Sequence, residues 1–148
     1  MMRYLPINLD NVKNAAMLYV DIFGKEPWNG QWTYSTAYAK LSAEVKKVGF
    51  TGHIILDENG LPGGFLMGHT SARFDGSYDF RLREMCFPAT VHGNELAVKA
   101  LDHLVEELKR RGICRMTIAM EYSRLAEAFY TALGFQPMEN VLTMEKQV

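Results

Sequence analysis

One carboxylate interrupts an apolar alternation at Tyr78, Phe80, Leu82 and Glu84. On a plain two-residue period Glu84 shares a strand face with those three side chains. A carboxylate held there loses hydration, and its pKa rises toward the range useful for taking a proton from an ammonium. The competing assignment is a structural ion pair with Arg73, Arg81 or Arg83. A second feature is the junction after that strand, where Thr90-Val91-His92-Gly93 leads into a helical pattern. Free amides at a helix N-terminus, helped by the helix dipole, hold a pyrophosphate without any lysine, although many such junctions bind nothing. Trp28, Trp32 and Tyr34 offer aromatic faces that attract an ammonium, or else cover a sheet edge. No histidine is adjacent in sequence to activate Cys86 as a nucleophile. His53, His69, His92 and His103 lack a metal-ligand spacing, so no metal site is expected.

The elements that must position these residues are readable from periodicity. Residues 2–8 alternate as a first strand. A helix with Asp10 as its cap carries Val12, Ala15, Ala16, Tyr19, Ile22 and Phe23 on one face and stops at Gly24. A second, with Ser35 as its cap, carries Tyr38, Leu41, Val45 and Val48 and ends at Gly49. Three strands follow, over residues 51–57, 64–74 and 78–87, joined by turns at Asn59-Gly60 and Asp75-Gly76. Asn94 to Arg111 holds the clearest helical stripe, Leu96, Ala97, Ala100, Leu101, Leu104, Val105 and Leu108. Residues 113–120 read as a strand, Ser123 caps a short helix through Leu133, and residues 135–146 read as one or two final strands. Taken alone, the helix with Tyr130 and a Leu-Gly-Phe exit reads as core packing.

Together and in this order, two segments resemble the signatures of the GNAT superfamily of N-acetyltransferases. The first is Glu84-Met85-Cys86-Phe87 followed by His92-Gly93-Asn94-Glu95-Leu96-Ala97; the second is Ser123-Arg124-Leu125-Ala126 with Tyr130 and Gly134-Phe135. The resemblance spans essentially the whole chain. It departs from the family pattern at His92 (usually Gln or Arg), Glu95 (usually Gly) and Ser123 (usually Asn). Glu95 puts a carboxylate beside the expected pyrophosphate, unless it folds back onto Lys99 four residues on.

The resemblance implies an α/β fold, a central and mostly antiparallel mixed sheet flanked by about four helices, in a single domain over residues 1–148. It implies acetyl-CoA as cosubstrate and direct transfer of acetyl to an amine, most simply of a small molecule. Glu84 would be the general base, and Tyr130 the general acid that reprotonates the departing thiolate. The Phe87 N–H, beside Cys86, would polarise the thioester carbonyl. His92, Gly93, Asn94, Glu95, Leu96 and Ala97 would hold the diphosphate, with Ser123, Ala126 and Phe129 also at the cofactor. Trp28, Trp32 and Tyr34 would line the acceptor pocket. The alternative, kept open by Glu95 and Ser123, is a protein on the same fold that binds acyl-CoA or another ligand without catalysis.

Composition bounds these readings. The 148 residues carry a formal net charge of −1, which supplies no basic field for nucleic acid. The longest unbroken apolar run, Ala15 to Val20, is far short of a membrane span. Two cysteines outside any CxxC pair, and a start without an apolar signal core, favour a reduced cytoplasmic setting. A homodimer is compatible with the sequence, and the acceptor is not readable from it.

Overall fold

The computed structural model describes residues 2–148. Strands β1 (Arg3–Pro6), β2 (Phe50–Leu56), β3 (Pro62–Ala72), β4 (Tyr78–Cys86) and β5 (Met116–Ile118) lie side by side in chain order. Helices α1 (Val12–Phe23) and α2 (Tyr34–Val45) separate β1 from β2. Helix α3 (Val91–Arg110) joins β4 to β5, and α4 (Arg124–Ala132) follows β5. The β1–β4 ladders are antiparallel and β4–β5 is parallel. A parallel pair needs a crossover, and α3 supplies it. The mixed sheet with four helices is the architecture expected from the sequence.

The pleat divides the core in two. Ile54, Phe65, Met67 and Cys86 pack under α1 and α2 with Val12, Ala15, Tyr19 and Leu41. Ile55, Leu66, Phe80 and Leu82 pack under α3 with Leu96, Ala97, Leu101 and Leu104. The anticipated turns form at Gly60 and Gly76, whose φ values of 78° and 86° favour glycine.

Several boundaries differ from those expected. Thr33, not Ser35, caps α2, in a reciprocal capping box with Thr36. Asn11 rather than Asp10 precedes α1, and its side chain bonds back to Asn8 and Pro6 instead of capping. Helix α3 starts at Val91, not Asn94, because the Thr90 hydroxyl accepts the Gly93 N–H at 2.9 Å. The final strands expected over residues 135–146 do not form. That segment has no regular structure, and it leaves Val141, Leu142 and Met144 exposed. The three-residue β5 offers little ladder to extend, and Pro137 has no N–H to give it.

Candidate active site

The ladder between β3 and β4 carries an irregularity that decides which way Glu84 points. Met67 pairs with Glu84 while Gly68 pairs with Leu82, so Arg83 is an extra residue opposite no partner. Such a bulge flips the alternation beyond it. Phe80 and Leu82 therefore face α3, whereas Cys86, four residues past Leu82, packs beneath α1. Glu84 is thus not on the face of Phe80 and Leu82, as plain alternation suggested, but on the α1–α2 side. Gly68 permits this close ladder: a Cβ there would meet the Phe80 ring at 2.6 Å.

On that side Glu84 is buried, at 8% exposure, and it meets a cation. Lys40 Nζ of α2 lies 2.9 Å from Glu84 Oε2 and donates a 2.9 Å hydrogen bond to the Tyr19 hydroxyl of α1. The same ammonium stands 5.0 Å from the centre of the Trp32 ring and 5.4 Å from that of Tyr19. Burial pushes the Glu84 carboxyl up, and Lys40 only partly offsets this. Burial, with the Glu84 charge adding to it, pushes Tyr19 to about 12. None of the three arginines considered as structural partners makes the ion pair: Arg73 reaches Asp79, and Arg83 reaches Glu44. One turn further along α2, the buried Glu44 takes His69 Nδ1 at 2.6 Å and Lys47 Nζ at 2.9 Å. Sequence reasoning missed Lys40, Tyr19's hydroxyl and Glu44. The available signal was two charges, Lys40 and Glu44, four apart beside the inward positions Ala37 and Leu41.

Tyr130 is half-buried on α4, edge-on to Phe129 at 5.1 Å and to Phe135 at 5.7 Å. Burial, and then the field of Glu84, push its phenol up to about 12. It also lines a cavity of about 970 Å³ between β4, β5, α3 and α4, with Leu82, Ser123 and Phe135. Glu84 does not line that cavity, although its field reaches the Tyr130 phenol that does. The β4–β5 pairing ends at Leu82 and Ile118, before Glu84 is reached. The Cys86 carbonyl turns toward β3, 2.6 Å from where a Gly64 Cβ would sit. Because that peptide is planar and trans, the Phe87 N–H points the opposite way, toward the edge that β5 leaves uncovered. Cys86 itself is buried, and burial raises its thiol well above the usual range, which suits packing rather than nucleophilic attack.

At the α3 N-terminus the early start of the helix changes the donor set. The Asn94 N–H bonds the Thr90 carbonyl at 2.9 Å, and Glu95, Leu96 and Ala97 lie within the helix, where amides turn to carbonyls four residues back. With Gly93 capped by Thr90, the amides of Val91 and His92 remain for an anion. Leu96 and Ala97 are buried on the sheet-facing side of α3, while His92, Asn94 and Glu95 are exposed. No ion pair between Glu95 and Lys99 occurs among the described residues. A Cβ at Gly93 would collide with the Pro88 carbonyl, so this tight entry requires glycine. Two free amides and the positive end of the helix dipole are what an anion needs at this end, with the exposed Glu95 carboxylate nearby.

The remaining candidates divide. Ser123 caps α4 by accepting the Ala126 N–H at 3.0 Å. Phe129 packs against the core under α3. Of the loop aromatics, Trp32 joins Tyr19 and Lys40, whereas Trp28 packs edge-on to Phe23 and Tyr34 stacks on Tyr38. Among the described residues, no helix is long and apolar enough to cross a membrane.

No protein-family profile matches the chain, and no curated protein does. Solved structures do. An aminoglycoside N-acetyltransferase, AAC(6')-Iy, in complex with CoA superposes with a TM-score of 0.73 at 15% identity, covering 100% of this chain and 96% of that one. The aminoglycoside 6'-N-acetyltransferase AAC(6')-Ih from Acinetobacter baumannii gives 0.74 at 12%, covering 100% and 99%. A predicted acetyltransferase from Clostridium acetobutylicum, with acetyl-CoA, gives 0.69 at 20%, covering 98% and 96%. End to end, the chain has the fold of the GNAT acetyltransferases.

Proposed function

We propose that this protein is an N-acetyltransferase that moves acetyl from acetyl-CoA to the amine of a small molecule, both bound at once. The observation that carries the reading is Glu84, a buried carboxylate turned by the Arg83 bulge into an aromatic-walled site already suited to an ammonium. Its raised pKa fits a base for an acceptor's ammonium. The freed amine attacks the thioester carbonyl, whose oxygen would take the Phe87 N–H. As the C–S bond breaks, Tyr130, protonated up to about 12, supplies the thiolate's proton. Val91 and His92 amides would hold the diphosphate, and Trp32 would face the acceptor. Holding both reactants in one cleft provides much of the rate through orientation. Aminoglycoside transferases among the similar structures support a small-molecule amine as acceptor. The unpaired state of Cys86 and Cys114 is in keeping with a cytoplasmic setting.

Calorimetry with acetyl-CoA, followed by thiol release on a panel of aminoglycosides, polyamines and amino acids, tests this. Binding with turnover, and a loss of about 10²-fold or more in kcat for Glu84→Gln, is expected. Binding without turnover across the panel would leave a non-catalytic acyl-CoA binder. Absence of binding sinks both.

A further inference from the structure

Lys40 occupies the place that the proposed reaction reserves for a substrate. An acceptor amine must reach the Glu84 carboxylate with its charge accommodated, and the groups available for that are the Trp32 face and the Tyr19 hydroxyl. The Lys40 ammonium already makes these contacts: Glu84 at 2.9 Å, Tyr19 Oη at 2.9 Å and the Trp32 ring centre at 5.0 Å. Its side chain is 41% exposed, so it is not sealed into the core. The other lysine–glutamate pairs are local in the chain, both at i,i+3: Lys109 with Glu106 inside α3, and Lys47, just past the end of α2, with Glu44 in its last turn. Lys40 instead bridges α2 to a carboxylate on β4, from across the sheet face.

We propose that Lys40 is a self-acetylation site: its ε-amine is an intramolecular acceptor for acetyl from acetyl-CoA, with Glu84 as the base. This rests on the acetyltransferase reading above. The ammonium passes one proton to Glu84, and the nitrogen lone pair forms a C–N bond to the thioester carbon. The C–S bond breaks, the thiolate leaves with a proton, and the nitrogen gives up its second. The sum is Nε-acetyl-Lys40, coenzyme A thiol and one released proton. Acetylation removes the positive charge. It therefore ends the ion pair to Glu84 and takes the cation off the Trp32 face. Until then, any external amine competes with Lys40 for the same three groups.

The full chain is incubated with isotope-labelled acetyl-CoA, without added amine, after binding has been measured by calorimetry. Intact mass should rise by about 42 Da, one acetyl group, and peptide mapping should place it on Lys40. Lys40 should react about 10²-fold faster than the exposed Lys13 and Lys109, because a positioned base contributes at least that factor. The rate per molecule should not change on dilution. Glu84→Gln should bring Lys40 down to the rate of the surface lysines, and Tyr130→Phe should slow it while the carboxylate stays in place. Thermal melts of both variants establish that they are folded. Acetyl-CoA binding with Lys40 no faster than Lys13 overturns the proposal and leaves the transferase reading standing if the amine panel turns over. Equal Lys40 labelling in folded Glu84→Gln, or a rate that climbs with protein concentration, overturns it as well. No acetyl-CoA binding overturns both.

Discussion

Two opposing fields act on Glu84, and burial is the stronger: it raises the pKa, while the Lys40 ammonium and the Tyr19 hydroxyl pull it back without reversing the shift. The consequence for stability follows from the sign. A carboxyl whose folded pKa lies above its unfolded one stabilises the fold below the unfolded pKa, and this is lost as pH rises through the folded value. The charged Glu84 therefore costs stability at neutral pH, in keeping with the base role proposed for it. The same shift predicts the pH profile. The kcat/KM should climb through a limb above the ordinary carboxylate range and should not fall again because of Tyr130, whose phenol stays protonated up to about 12. Measuring Glu84→Gln with the same acceptor cancels the acceptor's own ionisation in the ratio. If the acidic limb survives the substitution, Glu84 is not the base. Tyr130→Phe should lower kcat by about 10²-fold, the lower end of what a general acid contributes, while KM for the acceptor changes little.

Among the elements, the α3 entry is where binding and stability meet. Thr90 uses its hydroxyl to satisfy the Gly93 amide, which stabilises the helix but removes a donor from the proposed diphosphate site. Thr90→Ala should therefore cost about 1 kcal/mol in urea unfolding. It should also leave acetyl-CoA affinity equal or higher in calorimetry, since a third amide becomes free. A large loss of affinity would mean that Thr90 contacts the cosubstrate itself. This cap also marks a limit of reading the sequence. The α3 stripe from Leu96 to Leu108 is legible because its period is strong, but His92 and Gly93 look like loop residues and hide the true start at Val91. Strands β2, β3 and β4 and their glycine turns were legible for the same reason: alternation and turn chemistry are local. The Arg83 bulge was not, because an inserted residue leaves no trace in composition and is fixed only by the partner strand. Residue type alone therefore singles out Glu84, but its face depends on the bulge. Lys40 went unnoticed because its role depends on a carboxylate 44 positions away in the chain. The unformed strands after Phe135 are the converse case, an alternating pattern with no long edge to pair with.

At the scale of the molecule, one sheet separates two packing layers that serve different parts of the proposed site. Tyr19, Trp32, Lys40 and Glu84 belong to the α1–α2 side, whereas the α3 N-terminus and Phe129 belong to the other. Ile54 and Ile55 sample this division on a single strand: they are neighbours in sequence, both essentially unexposed, and packed in different clusters. Residues in contact usually couple when substituted, because they share a cavity or a set of relaxing neighbours. These two point to opposite faces and share no such neighbours, so their losses should be independent despite adjacency. Ile54→Val and Ile55→Val should each cost about 0.5–1.5 kcal/mol. In urea unfolding the double variant should fall within about 0.5 kcal/mol of the sum. A coupling well beyond that would mean that the layers relax together through the strand. Changes on the α3 side would then reach the Lys40–Glu84 pair, and cosubstrate binding and acceptor binding could not be altered separately. Additive losses would mean that the acceptor side of this fold can be redesigned without disturbing the grip on the cosubstrate.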